Sequence, residues 1–237
     1  MSFDTQQLGY VSAADAPAEQ RVTFIRRTYQ HLAMAVLAFV AVEWMIFQTG
    51  VAERLTATML GGRWSWLLVL GGFMGVSWIA QRWADTQASR QMQYLGLGVY
   101  VLAEAIIFVP ILYIASRVGE NVIPMAGLIT MLLFGGLTTV AFTTRADFTF
   151  LGGILKIGGF VALGVIVASI GFGFNLGLLF SAVMVAFAAG AILYSTSNVL
   201  HRYHPDQYVA ASLSLFASVA LLFWYVLRIL MSFANRD

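Results

Sequence analysis

The sequence predicts an all-α, polytopic membrane protein with seven transmembrane helices in a single bundle. Of its 237 residues 60% are hydrophobic and 10% charged, with a mean hydropathy of +0.82. A soluble domain carries about 25% charged residues and could not hide so much apolar surface. Apolar runs of about 20 residues recur along the chain, which is the length of a helix crossing a bilayer. Barrel strands would instead alternate over about 10 residues. The connections between the runs are short, so neighbouring helices are expected to be antiparallel.

Further classes are excluded by composition. The chain has no cysteine, hence no disulfide frame, thiolate nucleophile or Cys-ligated metal. A net charge of +2 gives no footprint for nucleic acid. The first 31 residues contain no apolar core of the signal-peptide kind, so the first helix is expected to act as an uncleaved insertion signal.

Residues 1–27 form a polar tail, expected to be disordered or loosely helical and cytoplasmic, ahead of a transmembrane domain at 28–237. The seven spans are expected at Thr28 to Gln48, Trp64 to Ala84, Gln93 to Ser116, Val122 to Phe142, Phe150 to Ile170, Leu176 to Leu200 and Tyr208 to Phe233. With the N-terminus inside, inner segments carry seven arginines: Arg21, Arg26, Arg27, Arg82, Arg90, Arg145 and Arg202. Outer segments carry four: Arg54, Arg63, Arg117 and Arg236. The bias favours a cytoplasmic N-terminus and, with an odd number of spans, an external C-terminus.

Ser181 to Leu200 organises the rest. It begins apolar, has a small-residue middle at Ala186 to Ala191 where helices can approach closely, and ends in the polar cluster Tyr194, Ser195, Thr196, Ser197, Asn198. That end is either an interfacial cap or a polar plug or pore lining within the bundle. Pro110 removes a helical N–H in span three and is expected to kink it. Gly71 and Gly75 form a GxxxG, and Gly152, Gly153, Gly158, Gly159 and Gly164 enrich span five, so both spans are expected to pack closely.

Two acids lie within spans, Glu43 in span one and Glu104 in span three, each between apolar neighbours. A charge at membrane depth costs at least about 2.5 kcal/mol, so such residues face a bundle interior or a water cavity. Each is either a neutral carboxyl bonded across helices or part of a cation or proton pathway. Lys156 and Arg228 are expected to snorkel. Arg82 is expected to anchor the cytoplasmic interface, or to close a pore mouth by pairing with a carboxylate. Asp147 is a candidate N-cap for span five, with Arg145 as an interface anchor. His201, His204 and Asp206 fall in one loop, whose simplest reading is a solvated turn rather than a metal site. No P-loop, HExxH, GxSxG or complete GxGxxG is present, and neither Asp nor His lies deep in a span, so no enzyme is predicted.

Several stretches resemble the Bax inhibitor-1 (transmembrane Bax-inhibitor-motif) family: Arg26-Arg27-Thr28-Tyr29, Thr143 to Gly153, Gly190 to Asn198 and Ser212 to Leu230. The ending Phe233 to Asp237 resembles the bacterial branch that includes the modulator of the FtsH protease. The resemblance implies seven helices with the sixth and seventh near the centre. It also implies, for several members, a pH-sensitive calcium leak latched by two aspartates, one on each central helix. In this chain the corresponding positions are Ser195 and Ser218, which carry no charge to share. Two functions therefore stand: a cation pathway, calcium being the transported ion, with Glu43, Glu104, Ser195, Ser218 and Arg82 as its candidate residues and no cofactor; or a non-transporting regulator of a membrane-bound AAA+ protease in the bacterial inner membrane. The lipid bilayer is the one partner common to both.

Overall fold

The computed structural model describes residues 12–62, 64–84, 89–144 and 146–234. Arg63, Arg145 and Arg236, used above for orientation, and residues 1–11 of the tail lie outside them. The described residues form eight α-helices and one 3-10 turn, with no strand among them. The helices are α1 (Ala18–Gln48), α2 (Val51–Leu60), α3 (Ser65–Ala84), α4 (Arg90–Val118), α5 (Val122–Thr144), α6 (Leu151–Phe172), α7 (Gly177–His201) and α8 (Tyr208–Ala234). The 3-10 turn Phe148–Phe150 precedes α6.

All seven expected runs are helical, as α1 and α3 to α8. Six of these helices are long and apolar enough to cross a membrane, and the bent pair α2 and α3, 106° apart, supplies up to a seventh. The chain thus has two ends of a bundle. The tail end carries the start of α1, the 3-10 turn and the α7–α8 turn. The far end carries α2 and the α4–α5 and α6–α7 turns.

The sequence treated Thr49 to Arg63 as a loop, whereas Val51–Leu60 is helical. Gly50 turns the chain with φ of +68°, a conformation natural to glycine. Ala52, Thr56 and Met59, spaced by four and three residues, form one buried face that packs on α4 and α1. Helix α1 also starts ten residues before the apolar run, at Ala18, so the second part of the polar tail is helical. Ahead of it Ala13 is fully buried and donates its N–H to the Tyr203 carbonyl at 2.8 Å, docking the tail on the α7–α8 turn.

Helix α8 packs on α7, α1, α5, α4 and α3. Helices α4 and α8 are the most enclosed candidate spans, each more than half buried within the bundle, and α7 is much less so. Phe108 of α4 meets Phe39 of α1 edge-on at 5.2 Å, stacks on Phe223 at 5.7 Å and meets Trp224 of α8 edge-on at 4.9 Å. Helix α4 runs unbroken through Pro110, which is buried. At the tail end Arg90 bonds Asp206 at 3.0 Å, and both Arg27 and Arg90 lie over the Tyr208 ring.

The glycines require a correction. Gly71 and Gly75 face open space, so the GxxxG is not where α3 is approached. The close approach comes from Gly96 on α4, where a Cβ would lie 2.5 Å from the Ala80 carbonyl oxygen and 2.8 Å from the Ala84 nitrogen. The motif specifies spacing but not which side of the helix meets a neighbour. In α6 the expectation holds at two positions: a Cβ on Gly152 would crowd the Tyr194 ring, and one on Gly158 the Phe187 ring. Gly153 and Gly164 are open.

Because backbone cannot yield as a side-chain tip can, Gly96→Ala should lower stability by about 1–3 kcal/mol through separation of α3 from α4. Gly98→Ala, whose Cβ meets open space, should be neutral. Thermal unfolding of the two purified variants in detergent checks this, and equal midpoints would contradict the packing.

Candidate functional site

Membrane-depth polar groups gather in two places. The first is a cavity of about 830 Å³ in the far half of the bundle, between α3, α4, α6, α7 and α8 and below the α6–α7 turn. It exists because α6 packs on α7 and the 3-10 turn and stands off from α4 and α8. Glu104, only 6% exposed, lines it. Tyr100, one turn earlier on α4, is buried and lines it beside Glu104. Trp66, Phe73, Phe108, Trp224 and Tyr225 form much of the wall, and Arg228 and Asn175 line it toward the far end.

The second place is a hydroxyl cluster between α7 and α8 in the tail half. Ser195 Oγ lies 3.0 Å from Ser218 Oγ and 3.1 Å from Ser214 Oγ. Ser218 Oγ also donates to the Ser214 carbonyl at 3.0 Å. The two positions singled out by resemblance thus meet, and their hydroxyls satisfy one another without charge. Nearby along the chain, the hydroxyls of Tyr29, Thr138 and Thr196 face one another across α1, α5 and α7 with no hydrogen bond of good geometry. Buried hydroxyls left so are natural partners for water.

The other candidates separate from these. Glu43 is buried, both its carboxyl oxygens lack a hydrogen-bond partner among the described residues, and it lines neither this cavity nor a smaller one of about 110 Å³ between α1, α5 and α8. Arg82 is exposed, with its guanidinium 5.3 Å over the Trp78 ring and no carboxylate paired with it among the described residues, so the pore-mouth pairing is not formed. Arg228 lines the cavity, a location that snorkelling alone did not foresee. His201 bonds Ser197 while His204 lies 3.7 Å from Asp206, and no group of three metal-ligating side chains converges among the described residues. Sequence reasoning missed Tyr100 and Ser214. Each sits four residues before a named residue, Glu104 and Ser218, and that helical spacing was the available signal.

The fold defines a polytopic α-helical membrane protein. The family model described as Inhibitor of apoptosis-promoting Bax1 matches residues 21–235, and the chain belongs to the Bax inhibitor-1 family. It is 34% identical over 218 residues to the Modulator of FtsH protease YccA of Escherichia coli K12, covering 90% of this chain and 91% of that protein. It is 32% identical over 224 residues to an uncharacterized protein of Pseudomonas aeruginosa, covering 90% and 92%. Bax inhibitor 1 of Schizosaccharomyces pombe is 32% identical over 123 residues, covering 49% of this chain and 45% of that protein.

One of the stretches that carries the family resemblance also clamps α6 to α7 at the tail end. Asp147 caps the 3-10 turn, accepting from the Thr149 N–H at 2.9 Å and from Ser197 Oγ at 3.3 Å. Ser197 in turn accepts from the Phe148 N–H at 2.9 Å, and Arg202 donates to Thr149 Oγ1 at 3.1 Å. Hydrogen bonds from the Thr149 hydroxyl and N–H hold the Asp147 carboxyl below its usual range. A depressed folded value means that the stabilisation is complete above an unfolded value of roughly 3.9 and fades as pH falls through the lower folded value. Asp147→Ala should therefore cost about 0.5 kcal/mol at neutral pH, the low end for a cap because the carboxylate is solvated. That cost should shrink as pH falls through the acid range, as the carboxyl protonates in both states. Thermal midpoints of both proteins across this pH range check it, and a constant difference would contradict the role.

Proposed function

We propose that this protein is a seven-span inner-membrane protein that provides a cation pathway, calcium being the ion the resemblance favours, with its N-terminus cytoplasmic and its C-terminus outside. The single observation that carries this reading is Glu104: a carboxyl at mid-length of α4 that is almost fully buried and lines a large cavity. An acid buried in a membrane span is by default a candidate functional site, and one that lines a cavity is placed to meet an ion. In this reading the cavity is the outer vestibule and Glu104 the cation ligand at its base. The Ser195, Ser214 and Ser218 cluster is the constriction on the cytoplasmic side, followed by the loosely paired hydroxyls of Tyr29, Thr138 and Thr196. A gate of hydroxyls has no group that titrates near neutrality, so the constriction itself confers no pH latch.

Calcium flux into proteoliposomes tests the reading. Glu104→Gln should lower the initial rate about tenfold, the effect of losing on the order of 1.4 kcal/mol of ion stabilisation. Glu43→Gln, whose residue lies off both cavities, should change it little. An unaltered rate in Glu104→Gln would remove the carboxyl from the mechanism.

A second reading has its own support. The E. coli relative named as a modulator of FtsH protease matches nearly the whole chain. A non-transporting regulator of a membrane-bound AAA+ protease would engage its partner at the cytoplasmic tail end. Deleting residues 2–11 leaves the Ala13–Tyr203 dock in place. The deletion should abolish co-purification with the protease without lowering the thermal midpoint. Retained co-purification and unchanged substrate turnover would contradict a tail-mediated role.

A further inference from the structure

We infer that the Glu104 cavity is a binding site for a hydrophobic organic cation, a bulky alkyl- or aryl-substituted ammonium or phosphonium. Three observations converge on this class. Its volume of about 830 Å³ lies within the roughly 300–1,000 Å³ of small-molecule sites, far above what a dehydrated metal ion needs. Its wall is aromatic: Trp66 and Trp224 stack at 6.1 Å, and Phe108, Phe73 and Tyr225 also line it. Its carboxyl, Glu104, is more than nine-tenths buried and has no cation paired with it among the described residues.

Each part matches a part of the ligand. Apolar substituents gain by leaving water for the cavity. A dispersed positive charge is attracted to the faces of Trp, Tyr and Phe, most strongly when desolvated. The buried carboxylate balances that charge, and a weakly hydrated organic cation loses less on entry than calcium does. Arg228, three residues beyond Tyr225 on α8, lies toward the far end and repels a cation there, so the charged centre is placed at the Glu104 end. The same Arg228 would favour an anionic amphiphile, such as a lipid headgroup, and this is the competing occupant.

The inference uses the same cavity as the proposed pathway, but it is read by binding rather than flux, so either can fail alone. Equilibrium dialysis of the purified full chain in detergent against tetraphenylphosphonium and its near-isosteric anion tetraphenylborate tests it. Tetraphenylphosphonium should bind saturably at one site per chain, and the anion at least about tenfold more weakly. Glu104→Gln should weaken the cation at least about tenfold, the effect of removing the one acidic group that lines the cavity among the described residues. Phe73→Leu, which keeps the cavity apolar, should weaken it by a smaller factor. Equal binding of the two ions, tighter binding of the anion, absence of saturable binding, or an unchanged Glu104→Gln each overturns the assignment.

Discussion

The structure depends on the aromatic contact that ties α4 to α8. Phe108 is almost fully buried, and its ring is held between Phe39, Phe223 and Trp224 on two other helices. In lipid there is no hydrophobic drive between helices, so such close side-chain packing must supply the association. The knot fixes the rotation of α4 about its own axis. Glu104, four residues earlier on the same helix, is thereby presented to the cavity. Phe108 and Trp224 are also cavity wall, so core and candidate site share one surface.

From this follows a division of the bundle. The tail half is tightly tied: the docked Ala13, the Arg90–Asp206 pair and the clamp around Asp147 and Ser197 all lie there. The far half is looser: α6 is held close to α7 at its tail-end part, through Gly152 and Gly158, and stands off from α3, α4 and α8. The cavity is the consequence of that asymmetry. The hydroxyls of Ser195, Ser214 and Ser218 occupy the tight half, where small groups that satisfy each other can be buried at little cost.

The helices were legible in the sequence because apolar runs of membrane length leave little freedom, and their bounds agree with α1 and α3 to α8 to within a few residues at nearly every end. The exception is α1, whose polar first turns carry no apolar signal. Helix α2 was missed because ten residues containing Glu53 and Arg54 read as a connection, and only its docking on α4 makes it a helix. The expense of burying Glu43 and Glu104 was readable, but their different surroundings were not. Whether an acid meets a cavity depends on helix rotation and on how far α6 stands away, neither of which is written in local pattern. The meeting of Ser195 with Ser218 was legible only through family resemblance. The third hydroxyl, Ser214, and the role of Gly96 instead of Gly71 and Gly75 required the packed structure.

The central claim is that the carboxyl of Glu104 faces space that water and cations can enter. The chain has no cysteine, so a single Glu104→Cys substitution can be probed with a membrane-impermeant, positively charged thiosulfonate applied to proteoliposomes. A separate Asn175→Cys variant, with its thiol in the α6–α7 turn, serves as the reference. The account predicts that the Glu104→Cys thiol is modified to completion, though more slowly than the reference thiol. A Glu104→Cys thiol that stays unmodified while the Asn175→Cys thiol reacts fully would contradict it.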